Sequence, residues 1–236
     1  MKRVWDNAIV AEEPGGSFSV RLDGKMLRMP GGGPLRIVGA ALAAAVAAEW
    51  NAAGGGSKGG TLSLNEVPIT RLAATLQDRI APDPAPIVDG LARYGETDLL
   101  CYRAENETLA ELQAREWQPV LDWLALHHDA PLRVTRGVMP VTQPPASVAA
   151  LRRAVAAHGP GELAALGVAV PVLGSLALGL ALAAGRVDAA EAHRLSVLDE
   201  IFQERHWGTD AEAEQRRARI AGEIALAGRF LALVRA

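Results

Sequence analysis

A single cysteine, Cys101, stands in the 236 residues. An internal disulfide is therefore excluded, and the usage fits a reducing compartment. Aromatic side chains are scarce as well, 4% against 50% apolar residues overall. The core must then be built mostly from Ala, Leu and Val, a composition that suits close-packed helices. Positive charge is not in excess: the formal net charge is −3 and the isoelectric point about 6.0, which leaves no electrostatic footprint for nucleic acid. The opening MKRVWDNAIVAEE has no apolar core of a secretory signal and no Arg/Ser-rich, acid-poor import leader, so secretion and organelle import are not expected and a cytoplasmic location is. Familiar enzyme signatures are missing too. No serine sits in a nucleophile elbow and no dinucleotide fingerprint is present. In GGGSKGGT, Lys58 is followed by Gly59 and the loop follows a helix pattern, so it reads as a surface loop and not a phosphate cradle. Cys101 has no neighbouring histidine and reads as packing.

One stretch is unusually short of charge. Leu163 to Gly185 contains 23 residues with none, enough in length to cross a bilayer. Pro171, Gly167, Gly174 and Gly179 interrupt it, and its many alanines contribute little to insertion. The reading is a short helix, a turn around Gly167–Pro171, and a buried helix from about 171 to 185. A peripheral membrane anchor is the competing reading, because a helix apolar all round belongs in a bundle centre or in lipid.

What is present divides at a proline-rich joint, APDPAPIVDG (81–90). Before it, SFSVRLDGKMLRMP reads as a hairpin on an Asp23-Gly24 loop of type I′, with Val20 opposite Leu27 and Phe18 opposite Met29. A PGGGP turn, a short strand LRIV and an Ala-rich helix over 40–50 follow. Beyond the joint the chain is nearly all helix. Thr108 with Glu111 reads as a capping box for a helix that Pro119 should kink, and Ser147 opens the next. Asp188 with Glu191 caps a helix running to about His206, Gly208 ends it, and Thr209 with Glu212 starts the last. There Ile220, Ile224, Ala227, Leu231 and Val234 mark a packed seam. The expected fold class is α+β: a small strand-plus-helix domain over 1–82, then a larger all-α domain over 83–236.

The stretch DEIFQERHWGTDAE (199–212) concentrates carboxylates beside His206 and Trp207. On one helix Leu195, Leu198 and Phe202 share a core face, which turns Glu200 and Glu204 outward. A metal site on that helix is disfavoured. Glu200 and Glu204 have the four-residue offset that paired ligands need, but His193 lies about two turns before Glu200, His206 points elsewhere, and the Glu-x-x-His pattern of carboxylate bundles is absent. Acid/base catalysis needs a carboxylate enclosed in a pocket with a second group in reach, and an outward face offers solvent. A binding face, with charge for orientation and Trp207 as aromatic anchor, stands against a merely solvated one. No metal and no cofactor are expected.

Several motifs together resemble a known family, the assembly chaperone of F-type ATP synthase that binds the alpha subunit. They include GGSFSVRLDGKMLRMPGGGPLRI, ALAAAVAAEWNA, VPITRLAATLQDRI, YGETDLLCYRAE, LQAREWQPVLDWL, LGSLALGLALAAG and LDEIFQERHWGTDAEA. The most specific are ETDLLCYRAE and LDE-x-x-Q-x-x-x-WG-x-D-x-E. The resemblance implies a non-enzymatic, monomeric chaperone that holds the free alpha subunit until a beta subunit replaces it. Its important acidic residue falls on Glu200, with Asp199 beside it. Gln203, Glu204, Trp207 and Asp210 complete the motif as partner-binding residues, and the Trp of AEW maps to Trp50. From the residues alone Trp50 reads first as structural, ending a helix that packs on the hairpin. The Gly-rich loop at 54–60 departs from the few polar residues usual in the family. The competing function is a small-molecule hydrolase or transferase using Glu200 and Glu204.

Overall fold

The computed structural model describes residues 2–29, 31–208 and 210–236, and their side chains except those of His206 and Trp207. The fold is α+β, and the chain divides into two compact units. One comprises residues 1–84 with 160–164 and 229–236; the other comprises 85–159 with 165–228.

In the first unit, strands β1 (Ala8–Glu13), β2 (Ser17–Leu22), β3 (Lys25–Met26) and β4 (Ile37–Val38) form an antiparallel sheet. Asp23 and Gly24 both adopt positive φ, 46° and 82°, as a type I′ turn requires. Leu27 N–H donates to the Val20 carbonyl at 2.8 Å, which bears out that part of the hairpin register. The expected partner of Phe18 is wrong. β3 ends at Met26, Met29 enters a tight turn with Gly32 and Gly33, and Phe18 faces Ile37 of β4 instead. Helix α1 (Ala40–Ala52) covers one face of the sheet, burying Leu42, Val46 and Trp50. The Glu49 carboxylate accepts from the Ile69 and Thr70 backbone N–H groups at 2.6 and 2.8 Å, capping helix α2 (Pro68–Thr75).

Two carboxylates stitch loops to this unit. Asp23 accepts from the Asn7 and Asp6 N–H groups and Glu66 from those of Ser63 and Gly54. These bonds hold both carboxyls below the usual range. A depressed carboxylate contributes stability above its unfolded pKa of about 4 and loses it as pH falls through the folded value. The melting temperature should therefore fall with increasing steepness below about pH 4. In Asp23→Asn, which tolerates the same positive φ, the acid-side slope should be shallower; an unchanged slope in melts across that range would contradict the assignment.

The second unit is built from helices α3 (Ala85–Ala92), α4 (Glu107–His128), α5 (Pro145–Ala156), α7 (Leu176–Ala183), α8 (Ala189–Ser196) and α9 (Leu198–Trp207). Residues 165–173 of α6 (Pro160–Leu173) and 211–228 of α10 (Ala211–Arg235) join them. A parallel pair, β5 (Tyr102–Arg103) and β6 (Thr135–Arg136), lies beside α4. Helix α4 is capped by Asn106, whose side chain accepts from Leu109 N–H at 3.0 Å. This replaces the expected Thr108/Glu111 box, because the helix starts two residues earlier than that box requires. It continues through Pro119. Helix α5 opens on Pro145, whose fixed φ suits a first turn, so Ser147 lies inside it and its hydroxyl donates to the Pro131 carbonyl. Thr209 lies outside the described residues; at the start of α10 the Asp210 carboxylate accepts from Glu212 N–H.

The uncharged run folds as α6 and α7, separated at Gly174 and Ser175 and not around Gly167–Pro171. Gly174 takes a left-handed φ of 63°, while Ser175 caps α7 by accepting from Leu178 N–H at 3.0 Å. Pro171 sits inside α6. At Gly179 a Cβ would meet Val170 Cγ2 at 2.4 Å, so the absent side chain permits the close approach of α7 to α6. Among the described residues no helix is long and apolar enough to cross a membrane. Asp98, fully buried, accepts from Leu100 N–H, Ser175 Oγ–H and Ala177 N–H at 3.0, 2.7 and 2.9 Å. Burial pushes its carboxyl upward, and these donors offset only part of the effect.

Candidate partner-binding site

The expected helix from 188 to 206 is in fact two. Asp188 caps α8, accepting from Glu191 N–H at 2.8 Å. Val197 then leaves helical geometry at φ −111°, ψ 17°, and α9 starts afresh at Leu198. Leu195 and Leu198 are buried as expected, but Phe202 is only half-buried, since the break re-aims the residues after it.

Asp199 is half-buried and its Oδ1 accepts from Gln113 Nε2 at 2.7 Å. Gln113, buried in α4, is itself aimed by Ala104 N–H, which donates to its Oε1. Burial pushes the Asp199 carboxyl up, while Gln113 and the nearby Arg103 guanidinium pull it down. Arg103 is held over the Trp117 ring, 5.3 Å from its centre, and donates to the Leu100 carbonyl. Trp117 Nε1–H donates to the Leu195 carbonyl at 3.0 Å, fixing the end of α8 on α4.

Glu200 and Glu204 are not the solvated carboxylates expected. After Gly208 turns the chain at φ 91°, α10 returns alongside α9. Arg216 then pairs with Glu200 at 2.8 Å, and Arg217 with Glu204 at 2.5 Å and with Glu200 at 3.7 Å. Arg217 Nη1 and His193 Nε2 are buried without hydrogen-bond partners among the described residues. Asp199, Glu200, Gln203 and Glu204 line one open, shallow cleft with Arg216 and Arg217. Asp210 is exposed at the start of α10. The Trp207 side chain lies outside the described residues. Trp50 is in the first unit and only 6% exposed: its Nε1–H donates to Thr70 Oγ1 at 3.0 Å, and its ring lies 5.0 Å from that of Trp5. A side chain so covered fits the structural reading of Trp50, a residue that packs within its own unit. Gln113, Arg103, Arg216 and Arg217 are absent from the sequence reading, because nothing local signals that residues 16 or 86 positions apart will meet.

The cleft carries ion pairs held between α9 and α10 and is open to solvent. Among the described residues no group of three or more His, Cys, Asp or Glu side chains could hold a metal ion. Leu198→Ala should cost about 2–5 kcal/mol through the cavity it leaves. Glu200→Ala, losing ion pairs of a half-exposed carboxylate, should cost about 1 kcal/mol or less. Equal large losses in denaturant unfolding of the two variants would refute this assignment of faces.

Residues 2–125 match the family model of the ATP12 chaperone protein. The crystal structure of Atp12 from Paracoccus denitrificans is similar over 98% of this chain and 97% of that one, at 42% identity and a TM-score of 0.91. A mutant of P. denitrificans Atp12p matches over the same shares at 41% identity and a TM-score of 0.91. The Atu1473 protein from Agrobacterium tumefaciens matches over 99% of this chain and 86% of its own, at 35% identity and a TM-score of 0.90. With the family model matching more than half of its residues and these structures nearly all of them, the chain belongs to the ATP12 chaperone family.

Proposed function

We propose that this protein is an assembly chaperone of the F-type ATP synthase, one that binds the unassembled alpha subunit and keeps it from aggregating until a beta subunit takes its place. What supports the reading most is the likeness, over almost the whole chain, to Atp12 of P. denitrificans. An unassembled ring subunit exposes a large apolar face, an aggregation hazard. A chaperone must cover that face and still release it. Contacts that are polar at the rim allow a larger subunit–subunit interface to displace it without nucleotide hydrolysis. On this reading the protein works as a monomer and not as an enzyme, and the Asp199–Glu204 side of α9 orients the client. Cleft carboxylates already paired with Arg216 and Arg217 give up no buried charge when the client leaves.

The test is suppression of aggregation of isolated alpha subunit by Glu200→Ala, Glu200→Gln and Glu200→Lys, each first shown to be folded. A rim contact predicts a graded loss, greatest for Lys, that shrinks as salt rises. Glu200→Lys also sets like charges against Arg216 and Arg217, so it is compared with Glu200→Lys combined with Arg216→Glu, which restores that pair. Loss that persists in the double variant belongs to the client contact. Full protection by all of the variants would remove Glu200 from the site, and no protection by the unaltered protein would refute the client itself.

A further inference from the structure

We infer that the outer edge of β1 binds an extended strand of the client by main-chain hydrogen bonding, an inference that rests on the chaperone reading above. β1 pairs with β2 without a bulge from Ala8–Leu22 to Glu13–Ser17. It lies at the end of its sheet, with no other strand on its outer side among the described residues. Its inward groups are those of the odd positions, since Asp23 N–H, across the same ladder, donates to the Asn7 carbonyl. The outward groups therefore belong to Ala8, Val10 and Glu12. At Ala8 both are taken by one side chain: Asn51 Oδ1 accepts from Ala8 N–H and Asn51 Nδ2–H donates to the Ala8 carbonyl, each at 2.8 Å. That carboxamide makes the pair of bonds that a residue of an added strand would make. It stops there. Among the described residues no hydrogen bond reaches the outward N–H and C=O groups of Val10 and Glu12.

Folded proteins usually guard such an edge with charged side chains, lysine above all, or with proline or a bulge. β1, AIVAEE, has no lysine, proline or bulge, and its charges are confined to the Glu12–Glu13 end. Instead it exposes Ile9 at 55% and Val10 at 37%, and Val38 at 82% lies on the same face of the sheet as Ile9. An edge left open beside exposed apolar side chains suits a chaperone, because main-chain bonding recognises an extended chain while demanding little of its sequence. The acidic end of the edge narrows the choice of strand. Glu13 is already paired with Arg21 at 3.0 Å, whereas Glu12 is exposed and has no ion-pair partner among the described residues. The matching client segment is thus a strand with apolar side chains opposite Ile9 and Val10 and a basic one near Glu12.

The experiment uses the full chain with purified, unassembled alpha subunit and reads amide hydrogen exchange and complex affinity. In the complex the Val10 and Glu12 amides should slow by about tenfold or more as they gain partners. The Ile9 and Ala11 amides, already bonded to β2, should change little. Val10→Pro deletes one outward N–H and no bond to β2, and should weaken capture about tenfold. Ile9→Lys, a charge placed at an exposed edge position, should weaken it likewise and serves if the proline variant fails to fold. A complex that forms with Val10 and Glu12 still exchanging freely, or with wild-type affinity in both folded variants, overturns the inference while leaving the chaperone reading intact. Absence of any complex with the unaltered chain refutes both. Protection that grows with the concentration of the chain alone, without client, assigns the edge to a second copy and overturns the inference as well.

Discussion

Trp50→Arg is expected to yield insoluble protein. The Trp50 side chain, carried by α1, is buried against the Trp5 ring and α2, and donates to Thr70. A guanidinium there would need an acceptor. The nearest carboxylate in sequence, Glu49, is already engaged by the Ile69 and Thr70 N–H groups and the Thr70 hydroxyl. An unpaired buried charge costs several kcal/mol, against a total stability of only about 5–15 kcal/mol for a typical domain. The same substitution removes the ring from under Trp5. Trp50→Phe keeps most of the apolar contact and loses the bond to Thr70, so it should remain soluble and lose about 1–3 kcal/mol. Soluble fraction after expression, then thermal melting of what is recovered, separates the two. A soluble Trp50→Arg that melts like wild type and fails only in client binding would move Trp50 to the interface.

The second large effect is expected at Asp98. Its carboxylate gathers the Leu100 and Ala177 N–H groups and the Ser175 hydroxyl at a point with no solvent access. Asp98→Ala would leave all of them without this acceptor in the interior, at a cost of about 3–5 kcal/mol, as when one partner of a buried network is removed. Asp98→Asn retains one acceptor oxygen and should cost about 1–3 kcal/mol. Ser175→Ala removes a helix cap worth about 1 kcal/mol. Because Ser175 also donates to Asp98, the Asp98→Ala/Ser175→Ala pair should cost less than the sum of its parts. Urea unfolding of the single and double variants measures this; strict additivity, or a loss below about 1 kcal/mol in Asp98→Ala, would show that the network does not hold α7 in place.

The residues that decided local structure could be read directly. Asp23-Gly24 specifies its turn because few residue pairs accept two positive φ angles in succession. Asp188 specifies the start of α8 because a short acceptor side chain satisfies an N–H that the helix cannot. The Ala-rich run over 40–50 and the α+β order follow from periodicity and composition in the same way. Each of these signals acts over a few residues, so the chain carries it whatever surrounds it. Where two local signals competed, the outcome depended on packing. Pro171 looked like the breaker of the uncharged run, yet the break came at Gly174–Ser175, where Asp98 receives the Ser175 hydroxyl from 77 positions away. The candidate site shows the same division. The motif from Asp199 to Trp207 and the alternation that turns Glu200 and Glu204 away from Leu198 are legible in sequence. Their partners are not. Gln113 meets Asp199, and Arg216 and Arg217 meet Glu200 and Glu204, only because α4 and α10 pack on α9 in one particular register. That register is set by side-chain volumes across helix interfaces, a property of the assembled core and of no single segment. The chain by itself thus determined which faces carry charge. Tertiary structure alone decided which of those charges are already paired, and which edge of the sheet stays open.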